Sequence, residues 1–134
     1  MGNREIVLEQ VRRAYAARDR GALDDLMAEF HSEAVFTLAG DEGCEGVAGS
    51  ACGVPHLKER MAQLIDTFQF RERRVLTELV EGDRVAVHSR VTVRCAPKNI
   101  EQETEILDLF RLRDGKIIEL IEFADTAVAA KMLA

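Results

Sequence analysis

The stretch EILDLFRLRDGKIIELIEFAD, residues 105–125, decides the fold predicted for this chain. Apolar side chains alternate with other residues on both sides of Asp114 and Gly115, a dipeptide typical of tight hairpin turns. We therefore predict two antiparallel strands joined at this turn. Asp108 and Glu122 interrupt the apolar pattern of the two strands, so the surroundings of these carboxyl groups become the central question.

The preceding segment, RVAVHSRVTVRC at residues 84–95, has the clearest alternation in the chain and predicts another strand. Four valines and Ser89 share one face of it, whereas His88 belongs to the charged face. A loop at residues 96–99 returns the chain, and we expect Ser89 opposite Asp108, Val91 opposite Ile106 and Arg94 opposite Glu103. This register places Asp108 on the apolar face, with Ser89 as its hydrogen-bond partner.

An isolated carboxyl group on an apolar face loses its hydration, so we expect the pKa of Asp108 to be raised. A neutral carboxylic acid that faces a cavity can donate a hydrogen bond or transfer a proton. The alternative is a structural Asp108 whose oxygens are satisfied by backbone amides or by Ser89.

The first half of the chain predicts helices at residues 3–18, 22–30 and 55–68, because apolar residues recur there at three- and four-residue spacing. A strand is predicted at residues 33–38, and the glycine-rich segment 39–53 is interpreted as a mobile flap or a pocket rim. Helices therefore precede a meandering antiparallel sheet, which indicates the α+β class in a single domain over residues 1–134.

Composition excludes several classes of function. The 134 residues carry a formal net charge of −6, which disfavours nucleic-acid binding. In the basic run RERR at residues 71–74, two or three of the four residues are interpreted as one exposed strand face. No apolar run approaches the ~20 residues of a membrane span, and no secretion signal is recognised, so we expect a cytoplasmic protein. Neither the three cysteines nor the three histidines have metal-ligand spacing, so no metal and no cofactor is predicted.

Two segments resemble a known family. VRRAYAARDRGALDDLMAEFHSEAVFTL, residues 11–38, is similar to the opening of the SnoaL-like and ketosteroid-isomerase-like branch of the NTF2-like superfamily. LDLFRLRDGKIIELIEFAD, residues 107–125, is similar to its closing hairpin. The resemblance implies a cone-shaped fold, in which a curved antiparallel sheet wraps around three N-terminal helices and encloses an apolar pocket. It also implies a homodimer formed through the sheet face.

The resemblance also implies candidate catalytic residues. Asp108 matches the protonated acid of the ketosteroid isomerases, whereas the positions of their base and tyrosine hold Leu38 and Ala14. Asp125 resembles the acid/base aspartate of the polyketide cyclases, although it could instead cap a short helix at residues 126–133. Glu122 is expected to face the cavity beside Asp108, unless it points outward and pairs with Arg111 or Arg113.

The sequence thus predicts a protein that binds a small, largely apolar molecule, either as an acid–base isomerase, cyclase or hydrolase or as a non-catalytic dimeric binding module. Tyr15 would position the ligand or pack in the core. The predicted pocket walls are Leu38, Met61, Phe68, Ser89, Phe110, Leu112 and Leu120. A third interpretation is an assembly domain that makes contact through the Arg/Glu-rich sheet face.

Overall fold

The computed structural model describes residues 3–40 and 49–134. The helices among these residues are α1 (Asn3–Asp19), α2 (Leu23–Ala28), α3 (Val54–Thr67) and α4 (Thr126–Leu133). The strands are β1 (Phe30–Ala39), β2 (Gly49–Cys52), β3 (Phe68–Glu81), β4 (Arg84–Cys95), β5 (Ile100–Arg113) and β6 (Lys116–Ala124). None of the helices in this part of the chain has the length and apolar character needed to cross a lipid bilayer.

The described strands form one curved, unclosed sheet in the order β2-β1-β6-β5-β4-β3. Neighbours pair antiparallel except β1 and β6, which run parallel. The apolar stripe of α1 and the buried faces of α2 and α3 pack with the inner sheet face into one core. The predicted α+β class and the curved sheet packed against helices are confirmed, but the parallel pairing of β1 with β6 departs from the predicted antiparallel sheet.

The boundary between α2 and β1 differs most from the sequence prediction. Helix α2 ends at Ala28, and Phe30 opens β1 opposite Ile117 of β6. A hydrogen bond of 2.9 Å from the Ile117 amide to the Glu29 carbonyl helps to join the chain to the sheet at this point. Phe30 is buried, as expected. Its extended conformation follows from pairing with β6, which the helical spacing of apolar residues cannot reveal.

The glycine-rich segment 39–53, interpreted above as a flap or rim, lies partly outside the described residues, and so does Cys44. Its described end includes β2, a short strand that the sequence did not predict. β2 pairs with β1 from Val35 opposite Cys52 to Leu38 opposite Gly49.

The predicted register of β4 and β5 was wrong by two residues. Cys95 lies opposite Ile100 across the loop at residues 96–99, so Ser89 faces Ile106 and Asp108 faces Val87. Arg94 correspondingly faces Glu101. Because strand side chains alternate with a period of two, this shift leaves every residue on its predicted face. Asp108 therefore remains on the buried face, with different cross-strand neighbours.

Candidate active site

Asp108 is the buried acidic residue at the centre of the candidate site. The alternation of β5 directs Ile106, Asp108 and Phe110 inward, and Asp108 is only 1% exposed. Its Oδ2 atom accepts a hydrogen bond of 2.6 Å from the hydroxyl of Tyr15. No described residue forms a hydrogen bond with its Oδ1 atom. The predicted partner, Ser89, is fully buried nearby in β4 but instead accepts a hydrogen bond from Arg73, at 3.5 Å.

Tyr15 reaches Asp108 from the apolar stripe of α1. Its ring packs edge-on against Phe110, with the ring centroids 5.6 Å apart. Burial raises the pKa of Tyr15, and the adjacent Asp108 raises it further. The phenol consequently keeps its proton and acts as a hydrogen-bond donor at this position. The two alternatives for Tyr15, core packing and a role in the site, are therefore not exclusive.

Glu122 is the second carboxyl group of the site. It lies directly opposite Asp108 in the β5–β6 pair, so both side chains project from the same sheet face. Burial raises the pKa of Asp108 well above its ordinary value, and the charge of the neighbouring Glu122 raises it further. The alternative in which Glu122 points outward to Arg111 or Arg113 does not hold, because Glu122 lines both interior cavities described below.

Arg73 belongs to the site although the sequence prediction did not include it there. A bulge between Phe70 and Glu72 changes the register of β3, and Arg73 pairs opposite the inward-facing Val91. Only 8% of its side chain is exposed. The charged run itself gives no sign of the extra residue that turns Arg73 inward. Only the pairing of β3 with β4 reveals it.

Arg18 is a second arginine that the sequence analysis did not assign to the site. Its guanidinium group lies 4.1 Å above the Phe70 ring and donates to the backbone oxygens of Leu64 and Phe68 at 3.3 and 2.8 Å. Burial lowers its pKa, an effect that the charge of Glu122 opposes. A signal for it existed, because Arg18 follows Tyr15 by three residues and continues the inward stripe of α1.

Two small cavities flank these charged groups. The first has a volume of about 30 Å³ and the second about 50 Å³. Arg18, Leu64 and Glu122 form a wall common to both. Because ligand pockets typically measure about 300–1,000 Å³, the described interior has room for a few water-sized groups only.

The predicted residues distribute over these cavities as follows. The first is lined by Tyr15, Met61, Asp108, Phe110, Leu120 and Glu122. The second is lined by Leu38, Phe68, Glu122 and Asp125. Ser89 and Leu112, expected as pocket walls, are buried but line neither cavity.

Asp125 lines the second cavity and also has a structural role. It caps α4, since its Oδ1 atom accepts a hydrogen bond of 3.1 Å from the amide of Val128. Val128, Ala129 and Met132 of α4 form part of the cavity wall. The structure thus brings Asp108, Glu122 and Tyr15 together and sets Asp125 apart from them.

The model of the SnoaL-like domain family matches residues 11–120. The chain belongs to this family. No curated protein sequence matches the chain significantly. Among solved structures, an NTF2-like protein from Burkholderia xenovorans is similar, with a TM-score of 0.80, 20% identity and coverage of 97% of either chain.

Two further solved structures share the fold of this SnoaL-like chain. An LEH-like epoxide hydrolase from Mycobacterium tuberculosis superimposes with a TM-score of 0.75 at 15% identity, over 96% of this chain and 90% of the other. TerC, co-crystallised with polyporic acid, superimposes with a TM-score of 0.81 at 18% identity, over 96% of this chain and 98% of the other. At these identities the likeness establishes a common architecture.

Proposed function

We propose that this SnoaL-like protein is an acid–base enzyme that moves a proton within a small, largely apolar carbonyl compound. The proposal depends on two adjacent carboxyl groups, the buried Asp108 and the half-buried Glu122 that lines both cavities. Two adjacent carboxyl groups in an apolar site divide into one acid and one base, because ionising both is unfavourable. The burial of Asp108 and the neighbouring charge of Glu122 favour Asp108 as the neutral acid, which leaves Glu122 as the base.

In the proposed reaction, the Glu122 carboxylate removes a proton from the carbon next to a carbonyl group. Negative charge then develops on the carbonyl oxygen, and Asp108 donates a hydrogen bond to it through its own proton. Tyr15 donates to the other oxygen of Asp108 and so keeps that carboxyl group oriented. Glu122 returns the proton to the original carbon or to a conjugated one, which gives exchange or isomerisation.

A ring-sized ligand would have to merge the two cavities. The wall shared by Arg18, Leu64 and Glu122 stands between them, and α4 closes the far side of the second cavity. We infer that the ligand enters from the α4 side and displaces the Arg18 side chain from the shared wall. The apolar residues of both cavities would then exclude water from the reacting atoms.

The test uses 2-cyclohexenone in D₂O, because it is a small cyclic ketone with exchangeable hydrogens. Its deuterium uptake is followed by proton NMR with and without the protein. We expect the protein to accelerate exchange, and we expect Asp108→Asn and Glu122→Gln to lose most of the acceleration. Glu105→Gln is the matched control, since Glu105 pairs with His88 and Arg90 on the outer sheet face. Equal rates for all four proteins would contradict the acid–base proposal.

A non-catalytic binding module is the second candidate. It is favoured by Asp125, because its carboxylate is engaged in capping α4. The same NMR samples distinguish the two functions. Ligand resonances that broaden or shift in the presence of the protein, without any deuterium uptake, would favour this module over the enzyme.

We also propose that a second copy of the chain covers the outer sheet face. Four of its residues are exposed apolar side chains, Leu79, Leu107, Leu109 and Phe123. Beside them, Glu81, Arg84, Arg111 and Glu119 lie opposite one another in one row across β3 to β6. The row holds two acidic and two basic side chains and therefore adds no net charge to the proposed contact.

A further inference from the structure

We propose that Arg73, anchored by Asp19, is a positioning residue that holds Tyr15 against Asp108 and thereby controls which carboxyl group of the site carries the proton. This inference rests on the acid–base function proposed above and extends it to an ion pair between α1 and β3. It concerns groups that do not themselves contact the reacting atoms.

The Arg73 side chain is fixed by its hydrogen bonds. Its Nε and Nη2 atoms donate to the two carboxylate oxygens of Asp19 at 2.9 and 3.0 Å, and Nη1 donates to the Ser89 hydroxyl at 3.5 Å. A paired, two-point contact between guanidinium and carboxylate sets the plane of the guanidinium group as well as its position. Although the Arg73 side chain lines the first cavity, its paired contact with Asp19 holds the guanidinium group in place, so we assign it a role that acts through its neighbours.

The fixed guanidinium group covers one face of Tyr15. Its Cζ atom lies 4.0 Å from the centroid of the Tyr15 ring and 5.1 Å from that of Phe70. The electron-rich ring face attracts the cation, and the edge contact with Phe110 restrains the ring in a second direction. A phenol held at its face and its edge has its hydroxyl directed at Asp108 before any ligand arrives.

The charges around the site balance when Asp108 is neutral. Helix α1 contributes Arg18 and Asp19, β3 contributes Arg73, and β6 contributes Glu122. These four groups amount to two positive and two negative charges, so an ionised Asp108 would add an uncompensated buried charge. Arg73 is the cation beside Tyr15 and Asp108. Its removal would leave Asp19 without this partner and make ionisation of Asp108 still less favourable.

A simpler role for Arg73 is to tie α1 to β3. That role predicts a loss of stability on substitution, but no change in the titration of Asp108. Arg12 and Glu78 provide the comparison within the same chain, because they form an ion pair of 2.8 Å between the same two elements. Substitution of Arg12 breaks that link without touching Tyr15 or Asp108.

The experiment follows the Asp108 carboxyl carbon by NMR in protein labelled with ¹³C-aspartate, over a pH series. In Arg73→Met we expect the pKa of Asp108 to rise by about one unit above wild type, as expected for losing a nearby opposite charge. In the control Arg12→Met we expect the wild-type value. A folded Arg73→Met protein whose Asp108 titrates as in the wild type would overturn the inference.

Arg73→Lys keeps the charge and tests positioning separately. A lysine cannot make the two-point contact with Asp19, so we expect the aromatic signals of Tyr15 to show faster ring flipping while the Asp108 titration moves little. Unchanged ring flipping in this variant would overturn the positioning role, even if Arg73→Met fails to fold. An ordinary pKa of Asp108 in the wild type would contradict the proposed function. The role of Arg73 is still decided separately, by the change in Asp108 pKa in Arg73→Met and in Tyr15 ring flipping in Arg73→Lys, each relative to the wild type.

Discussion

At the scale of single residues, the ionisation of the buried Asp108 carboxyl group is the property on which the proposed chemistry depends. An ionised carboxylate inside an apolar sheet face costs several kcal/mol unless it is well paired, so such groups tend to stay neutral. Tyr15 donates one hydrogen bond to it, and the neighbouring Glu122 works against its ionisation. The raised pKa of Asp108 is therefore a consequence of burial and of a second carboxyl group, and both are properties of its surroundings.

The raised pKa of Asp108 predicts how stability depends on pH. Between the unfolded pKa of about 3.9 and the folded value, the unfolded chain binds fewer protons than the folded protein at this site. The stabilising contribution is thus complete below the unfolded value and is lost as the pH rises through the folded value, at up to about 1.4 kcal/mol per pH unit. Asp108→Asn removes this term, so its free energy of unfolding should fall less over the same range.

Urea unfolding of wild type and Asp108→Asn from pH 4 to pH 8 measures this difference. Asn retains an oxygen that can accept from Tyr15, which makes it the appropriate substitution. Two stability curves that run parallel across the whole range would show that Asp108 ionises normally in the folded protein.

The hydrogen bond between Tyr15 and Asp108 gives a second prediction. Tyr15→Phe leaves the Oδ2 atom of Asp108 without its donor, and we expect a loss of about 1–2 kcal/mol in stability. Because that hydrogen bond lowers the pKa of Asp108, the substitution should also raise this pKa further. Carboxyl ¹³C titration of the variant checks the direction of the shift. A lower pKa than in wild type would contradict the arrangement described here.

At the level of elements, the bulge in β3 and the cap of α4 shape the site. The bulge between Phe70 and Glu72 turns Arg73 inward, and the cap by Asp125 starts the helix that closes the second cavity. Both are local departures from regular structure, and each determines what a cavity wall contains.

Substitutions at Asp125 separate helix capping from acid–base chemistry. Asp125→Ala should destabilise the protein by about 1 kcal/mol, since alanine cannot accept from the Val128 amide. Asp125→Asn should stay close to wild type in stability, because asparagine caps about as well as aspartate. Both effects are read from urea unfolding. A loss of catalysed deuterium exchange of 2-cyclohexenone in Asp125→Asn, with unchanged stability, would contradict this purely structural role and would assign acid–base chemistry to Asp125.

For the whole molecule, the outer sheet face divides into two parts. One part has the exposed apolar residues Leu79, Leu107, Leu109 and Phe123, and in the other Arg90 pairs with Glu103 and Glu105. Ion pairs that are satisfied within one chain leave little to gain from a partner, whereas exposed apolar side chains gain from being covered. The sequence predicted that any assembly contact would use the Arg/Glu-rich part of the outer sheet face. We now expect this contact at the exposed apolar residues instead.

We expect Leu109→Glu to dissociate the proposed dimer and Arg90→Glu to leave it assembled. Leu109 lies between Ala86 and Ile121 across the sheet, at the centre of the apolar part. Analytical ultracentrifugation of both variants and of wild type over a concentration series gives the oligomeric state. The proposed contact is refuted by a wild type that sediments as a monomer at every concentration, and equally by dissociation in Arg90→Glu alone.

The sequence alone determined the faces of the strands. Alternation in β4 and β5 placed Asp108 inside even though the predicted register was wrong by two residues, because a shift of two preserves the face of every side chain. The helical spacing of α1 likewise placed Tyr15 on the buried side. These patterns repeat over many residues, so an error at one end of an element does not reverse them.

Only the tertiary structure decided which side chains meet. The partner of Asp108 is Tyr15, 93 positions away in sequence, and not Ser89 of the neighbouring strand. The inward turn of Arg73 depends on one bulged residue, and the strand conformation of Phe30 depends on pairing with β6. Such contacts arise from the packing of α1 onto the sheet and from local irregularities in strand pairing. A periodic pattern along the chain cannot specify them, because it records which face a residue occupies but not what packs against that face.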